Sequence, residues 1–238
     1  MIKNPRERLI LALDVASADE AKRLIERVEG EVEFVKIGLE LFTAAGPSIV
    51  RWFIRQHFRV FLDLKLLDIG ETVKRTTAVA AGLGVTFFTV HARSKILHAA
   101  VEGRGEAPMK ILAITVLTNL AEADLREAGV TDSIPHAVLR RAQMAAECKA
   151  DGVIASGVQT NIIRKELGRK LLIVTPGIRP SGTPHHDQVH PVTPAIALAG
   201  GADYLVVGRP IRDAEDPAKA AHEIQEEIAA VCANLRRH

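Results

Sequence analysis

The run Asp63-Leu64-Lys65-Leu66-Leu67-Asp68 sets two carboxylates and an ammonium at the end of an apolar segment that begins Arg59-Val60-Phe61-Leu62. In an extended chain successive side chains alternate faces, so Asp63 and Lys65 point the same way and Asp68 follows just beyond. A strand this apolar is buried on both faces, and charges at its end must pair or face a cleft. An ammonium held among carboxylates stays protonated and can act as a general acid. Asp14 and Lys36 also lie in or at the end of apolar runs. Two lysines and three acids meeting at one place would form an alternating charge network. A structural ion pair at a strand end is the other use for the same residues.

These residues share a surface only if the chain brings its apolar runs together. Eight strand-like runs can be counted, at 9–14, 34–37, 60–65, 86–91, 111–116, 152–155, 171–175 and 204–207. Amphipathic stretches of helical period separate several of them, at 17–28, 47–56, 72–83, 135–150 and 194–199, with a last one at 217–234. Ser17 with Glu20 reads as a capping box, and Pro47, Pro135, Pro194 and Pro217 stand where a first helical turn accepts proline. Strands alternating with helices imply parallel strands and crossover connections, and eight units in 238 residues predict one (β/α)₈ TIM barrel over residues 1–238. A doubly wound open sheet is disfavoured, because Asp14-Val15-Ala16-Ser17 stands where a G-x-G-x-x-G turn would follow the first strand.

In such a barrel the reacting side chains belong at the carboxyl ends of the strands. Asp14, Lys36, Asp63, Lys65, His91, Thr115, Thr118, Ser156, Thr175 and Arg209 all fall in or just after predicted strands. The segments Thr175-Pro176-Gly177-Ile178-Arg179 and Val207-Gly208-Arg209 follow the seventh and eighth strands, a common phosphate site in this architecture. Each glycine is followed within two residues by an arginine able to hold a phosphate oxygen. Two tight turns with solvated arginines are the plain alternative. His185, His186 and His190 lie between Pro184 and Pro191 without a helix to align them, so polar loop histidines are expected there and no metal site. Thr89 and His91 are read as rim residues of the fourth strand, and Trp52-Phe53 as the core face of a helix.

The remaining bounds are quickly set. A formal charge of +2, from 31 basic and 29 acidic residues, offers no field to attract nucleic acid or a membrane, so a small-molecule partner is expected. Cys148 and Cys232 share no metal-binding or redox spacing, which suits a reducing compartment. The first eight residues lack an apolar stretch, and no apolar run approaches the ~18 residues of a membrane span. A soluble, cytoplasmic protein is therefore expected.

Taken together, Leu11-Ala12-Leu13-Asp14, Lys36 to Phe42, the D-x-K-x-x-D element at 63–68, Thr175 to Arg179 and Val206 to Arg209 resemble the orotidine 5'-monophosphate decarboxylase family in order and spacing over nearly the whole chain. That resemblance implies decarboxylation of orotidine 5'-monophosphate to uridine 5'-monophosphate in pyrimidine biosynthesis, with no metal or organic cofactor. It implies Lys65 as the donor of a proton to the pyrimidine carbon and Asp63 beside the departing carboxylate. Lys36 and Asp14 would hold the ribose hydroxyls and the charge network. Asp68, Ile69 and Thr72 would reach the neighbouring site of a homodimer. Ser156 would read the pyrimidine edge, Thr118 would contact the nucleotide, Pro176 would be among the substrate-binding residues, and Arg179, Gln188, Gly208 and Arg209 would serve the phosphate end under a closing loop at 181–191. One departure stands out: Ile69-Gly70-Glu71-Thr72 replaces the family's usual Ile-Pro-Asn-Thr. Glycine there resembles magnesium-dependent keto-sugar-phosphate decarboxylases and synthases of the same superfamily, with Glu71 as a possible ligand. A noncatalytic phosphate-binding barrel is the reading from a different class.

Overall fold

In the computed structural model, which describes residues 4–28, 30–180 and 192–235, eight parallel strands close into a barrel in sequence order. They are β1 (Leu9–Ala12), β2 (Phe34–Gly38), β3 (Arg59–Leu66), β4 (Phe87–His91), β5 (Lys110–Ile114), β6 (Gly152–Ile154), β7 (Leu172–Thr175) and β8 (Tyr204–Val207), with β8 pairing back onto β1. All eight predicted strands are present. At the upper ends β1 stops at Ala12, so Asp14 stands in the following loop, and β5 stops at Ile114, while β2 and β3 run one residue past the predicted ends, to Gly38 and Leu66.

The helices between strands are α1 (Ala18–Arg27), α2 (Leu39–Arg55), α3 (Gly70–Gly82), α4 (Ser94–Arg104), α5 (Glu122–Glu127), α6 (Ile134–Glu147), α7 (Thr160–Leu167), α8 (Pro194–Ala199), α9 (Arg209–Arg212) and α10 (Pro217–Leu235). The Ser17 hydroxyl accepts from the Glu20 amide as an N-cap should, while the Glu20 carboxylate reaches the Ala16 amide instead of that of Ser17. Helix α2 is broken at Gly46, whose φ of 59° is open to glycine at little cost, and Pro47 starts the second piece as the sequence predicted. Helices α4, α5, α7 and α9 have no counterpart among the amphipathic stretches read from the sequence. Helix α3 begins at Gly70 with Ile69 as its N-cap, two residues before the expected start, which puts Thr72 within the first turn.

The pleat sorts the strands into two cores. Outward residues such as Leu11, Val35, Leu62, Phe88 and Val153 pack under the helices in one continuous cluster. Inward residues Ile10, Phe34, Phe61, Phe87, Leu112, Val174, Tyr204 and Val206 fill the barrel in a second cluster. Phe87 is its hub, with ring centroids 5.1 Å from Phe34, 5.9 Å from Phe61 and 5.1 Å from Tyr204. Tilted contacts of this kind add ~0.5–1.5 kcal/mol each beyond burial. Arg59 lies 4.3 Å from the Phe34 ring, and its guanidinium donates to the Tyr204 hydroxyl at 3.3 Å, which brings a cation onto this aromatic layer. Two residues along the same inward rows the chemistry changes sharply: Phe34 gives way to Lys36, Phe61 to Asp63 and Phe87 to Thr89. The aromatic layer is thus the support on which a polar layer rests. Among the described residues no helix is long and apolar enough to cross a membrane.

Candidate active site

The polar layer at the carboxyl ends of the strands is built around Asp63, which is only 6% exposed. One carboxylate oxygen, Oδ2, lies 2.7 Å from Lys65 Nζ and 3.8 Å from Lys36 Nζ. Lys36 Nζ in turn donates to Asp14 Oδ1 at 2.8 Å. The order Asp14, Lys36, Asp63, Lys65 therefore alternates in sign. The second oxygen of Asp63, Oδ1, accepts from the buried Thr89 hydroxyl at 2.8 Å. Burying a carboxylate without partners would be prohibitive, and this one has cations on one oxygen and a hydroxyl donor on the other.

Lys65 reaches its place through an irregularity that alternation does not foresee. The β3–β4 register runs through Leu62 opposite Phe88 and resumes with Leu66 opposite Val90. Asp63, Leu64 and Lys65 thus stand against Thr89 alone, and Lys65 adopts φ 51°, a left-handed conformation uncommon for a side chain with a Cβ. The displaced Lys65 amide donates to Thr89 Oγ1 at 3.0 Å.

Two adjoining cavities open on this layer. One, of about 240 Å³, is lined by Lys36, Asp63 and Lys65, by Phe61 from the aromatic layer, and by Val116, Leu117, Thr118 and Asn119 beyond β5. The other, of about 260 Å³, is lined by Asp14, Lys36, Gly177, Arg179, Gly208, Arg209 and Arg212. Lys36, Pro176 and Val206 border both, so a single elongated ligand can span from the charge network to the arginines. Gly177 has φ 78°, where a Cβ would be strained, and it brings backbone to the edge of the arginine-lined cavity. Three guanidinium groups around one concavity favour an anion such as a phosphate.

The comparisons with known proteins agree with this geometry. A family profile described as "Orotidine 5'-phosphate decarboxylase / HUMPS family" matches residues 7–224. The chain belongs to that family. Among its relatives, a protein of Nitrobacter winogradskyi named orotidine 5'-phosphate decarboxylase is 46% identical over 224 residues, covering 94% of this chain and 93% of the relative. One of the same name from Afipia carboxidovorans is 48% identical over 226 residues, covering 95% and 96%. Among solved structures, orotidine 5'-phosphate decarboxylase from Lactobacillus acidophilus superposes with a TM-score of 0.83 at 35% identity, covering 93% of this chain and 99% of that one. An uncharacterized conserved protein from Geobacillus kaustophilus superposes with a TM-score of 0.80 at 33% identity, covering 92% and 99%.

Within this decarboxylase-family barrel, the structure brings Asp14, Lys36, Asp63 and Lys65 into one network, and places Thr118, Pro176, Arg179, Gly208 and Arg209 on the two cavities. Asp68 stands apart from the network within the chain: it is exposed, and its Oδ1 accepts from the Ile69 amide at 2.6 Å. Ile69 beside it is 76% exposed. Ser156 lines a small adjoining crevice with Gln159, Val116 and Thr118, the last two of which also line the first cavity. Gln188, the three loop histidines and the loop at 181–191 lie outside the described residues. Glu71 pairs with Arg75 at 3.5 Å on the exposed side of α3 and lines neither cavity. Among the described residues, no three His, Cys, Asp or Glu side chains gather as a metal-ligand set.

Four residues of the site escaped the sequence reading. Asn119 lines the first cavity. Arg212 lines the second and donates to the Asp14 carbonyl at 2.7 Å, its proton held more tightly than usual chiefly by the hydrogen bond to Asp213. Thr89, read from the sequence as a rim residue, belongs to the polar layer beside Asp63, and its place two residues beyond the inward Phe87 is the signal for it. Arg141 donates to the Thr115 carbonyl, and its proton affinity is lowered by burial and then by Arg140 and Arg93. His91, half-buried nearby, is held below its ordinary range by burial first, then by Arg141, Arg93 and Lys65, and so is neutral at pH 7.

Proposed function

We propose that this chain converts orotidine 5'-monophosphate to uridine 5'-monophosphate and carbon dioxide, with no metal and no organic cofactor. The observation that carries the proposal is the contact of Lys65 Nζ with Asp63 Oδ2 at 2.7 Å, inside a cavity continuous with the arginine-lined one. The phosphate lies among Arg179, Gly208 and Arg209. The ribose hydroxyls meet Lys36 and Asp14, and the pyrimidine lies in the first cavity beside Thr118, with Ser156 reading its edge. Its carboxylate then faces Asp63, so that substrate charge meets protein charge. The carbon–carbon bond breaks, carbon dioxide leaves, and the electron pair left on the ring carbon takes a proton from the Lys65 ammonium. Solvent returns the proton to Lys65. Contacts made at the phosphate, remote from the reacting bond, supply binding energy that offsets the crowding of like charges.

The functional unit is a homodimer in the cytoplasm, with Asp68, Ile69 and Thr72 completing the neighbouring site. Their exposure in a single chain, with Leu67 also half exposed next to them, supports this reading. The decisive test follows the loss of ultraviolet absorbance of orotidine 5'-monophosphate in excess chelator, with wild type and Lys65→Ala side by side. Turnover by the wild type that the variant lacks is the expected result. Ligand binding without turnover would leave a noncatalytic barrel, and turnover of keto-sugar phosphates only with added magnesium would replace the proposal by the other chemistry.

A further inference from the structure

Thr89 occupies an unusual position for a fully buried hydroxyl, because it donates to one and accepts from the other of the two residues that flank Leu64. Its proton goes to Asp63 Oδ1 at 2.8 Å and its lone pair receives the Lys65 amide at 3.0 Å. At this point the β3–β4 ladder slips, with three residues of β3 set against the single residue Thr89 of β4. A regular ladder would satisfy the Lys65 amide from backbone; here the hydroxyl stands in for the missing carbonyl. The same atom fixes the orientation of the Asp63 carboxylate, leaving Oδ2 to face Lys65 and Lys36.

We propose that Thr89 is a positioning residue for the decarboxylation: its hydroxyl locks the Lys65 backbone in the left-handed conformation and the Asp63 carboxylate in the rotamer that together set the proton donor against the reacting carbon. The inference rests on the function proposed above. It does not need Thr89 to touch the substrate, and Thr89 lines neither cavity. Valine at this position keeps the branched shape and removes the hydroxyl, leaving Asp63 Oδ1 and the Lys65 amide without their partner. Serine keeps the hydroxyl and gives up only a methyl group.

The test compares wild type, Thr89→Val and Thr89→Ser in single-turnover decarboxylation with enzyme in excess, so that product release does not mask the step. Affinity for uridine 5'-monophosphate, which lacks the carboxylate, is measured alongside. The expected result is a fall of at least about tenfold in the single-turnover rate of Thr89→Val, ~1.4 kcal/mol in the barrier. Product affinity should change less than about threefold, and Thr89→Ser should stay within about threefold of wild type. If Thr89→Val does not yield folded protein, Thr89→Ala removes the same hydroxyl and must show the same split. A valine or alanine variant as fast as wild type would overturn the proposal. So would a serine variant as slow as the valine one, since packing rather than the hydroxyl would then be at work, or a rate and product affinity that fall together. A wild type that does not consume orotidine 5'-monophosphate would instead remove the function on which the inference stands.

Discussion

Replacing Asp63 by asparagine keeps the shape of the polar layer and deletes its central charge. The 2.7 Å contact to Lys65 and the 3.8 Å contact to Lys36 each lose their attraction. At an effective dielectric constant near 20 these correspond to roughly 6 and roughly 4 kcal/mol of gross Coulomb energy. Most of that is offset in the wild type by the cost of removing three charges from water, and breaking such a buried group by removing one partner usually costs ~3–5 kcal/mol. The Lys65 side chain retains 31% exposure, so water can take up part of its charge, and the lower end applies. A loss of about 3 kcal/mol in a chain of this size lowers the melting temperature by roughly 6–12 °C. Turnover should fall by at least about a hundredfold, because the group that holds Lys65 in line is gone. The asparagine variant also presents no carboxylate to that of the substrate, so KM should fall while kcat falls further, the signature of relieved crowding in the bound ground state. Thermal unfolding followed by circular dichroism and initial rates over a range of substrate concentrations read both effects. A variant that melts with the wild type and turns over within tenfold of it would refute the view that Asp63 is the keystone of the network.

Gly38→Ala tests the same network from the outside: the added Cβ would lie 3.0 Å from Lys36 Nζ and 3.2 Å from Asp14 Oδ1, so kcat/KM should fall at least about tenfold while the melting temperature moves only a few degrees. On the proposed homodimer, mixing Lys65→Ala with Asp68→Asn, each impaired alone, should restore about a quarter of wild-type activity after subunit exchange, because half the dimers would be mixed and each mixed dimer would have one intact site; no recovery on mixing would refute the proposal that Asp68 completes the neighbouring site. His91 is depressed below its ordinary value of 6.5, so below that pH the unfolded chain binds a proton that the folded site resists, and folding stability falls as pH drops. Urea midpoints at about pH 7.5 and about pH 5.5 should therefore fall less far for His91→Gln than for the wild type. Arg209→Ala should raise KM by at least about tenfold with a smaller change in kcat, measured at constant ionic strength, since it withdraws a cation from the cavity proposed to hold the phosphate.

The barrel was legible because all eight strands are short apolar runs, and parallel strands buried on both faces read that way whatever surrounds them. Helices with strong starts were legible too. Of those that escaped, α5 and α9 span only 6 and 4 residues, and α4 and α7 follow Arg93 and Gln159, which make no side-chain capping bond. At the site, Asp14, Lys36, Asp63 and Lys65 announced themselves as charges at the ends of apolar strands, an arrangement that burial makes costly unless the charges meet. Arg212 could not be read in this way. It approaches Asp14 from 198 residues away along the chain, and only closure of β8 onto β1 makes the two neighbours.

Thr89 shows a second limit, because it is a question of register and not of composition. Strict alternation puts Asp63 and Lys65 on one face, as they are, but with two rises of ~3.3 Å between their Cα atoms. An undistorted strand would leave both side chains standing side by side, roughly perpendicular to the sheet. What the structure has instead is a slipped ladder, a left-handed Lys65 and a hydroxyl that takes the place of a lost backbone partner. Each of these is unfavourable or indifferent alone, and the left-handed conformation by itself costs a residue with a Cβ ~1 kcal/mol or more. They are consistent only as a set: the slip frees the amide, the hydroxyl of Thr89 captures it, and the same hydroxyl turns Asp63 toward the ammonium that the slip has re-aimed. A strain of this kind persists where the surrounding contacts over-determine it, and here the contacts that do so are the ones the proposed chemistry needs.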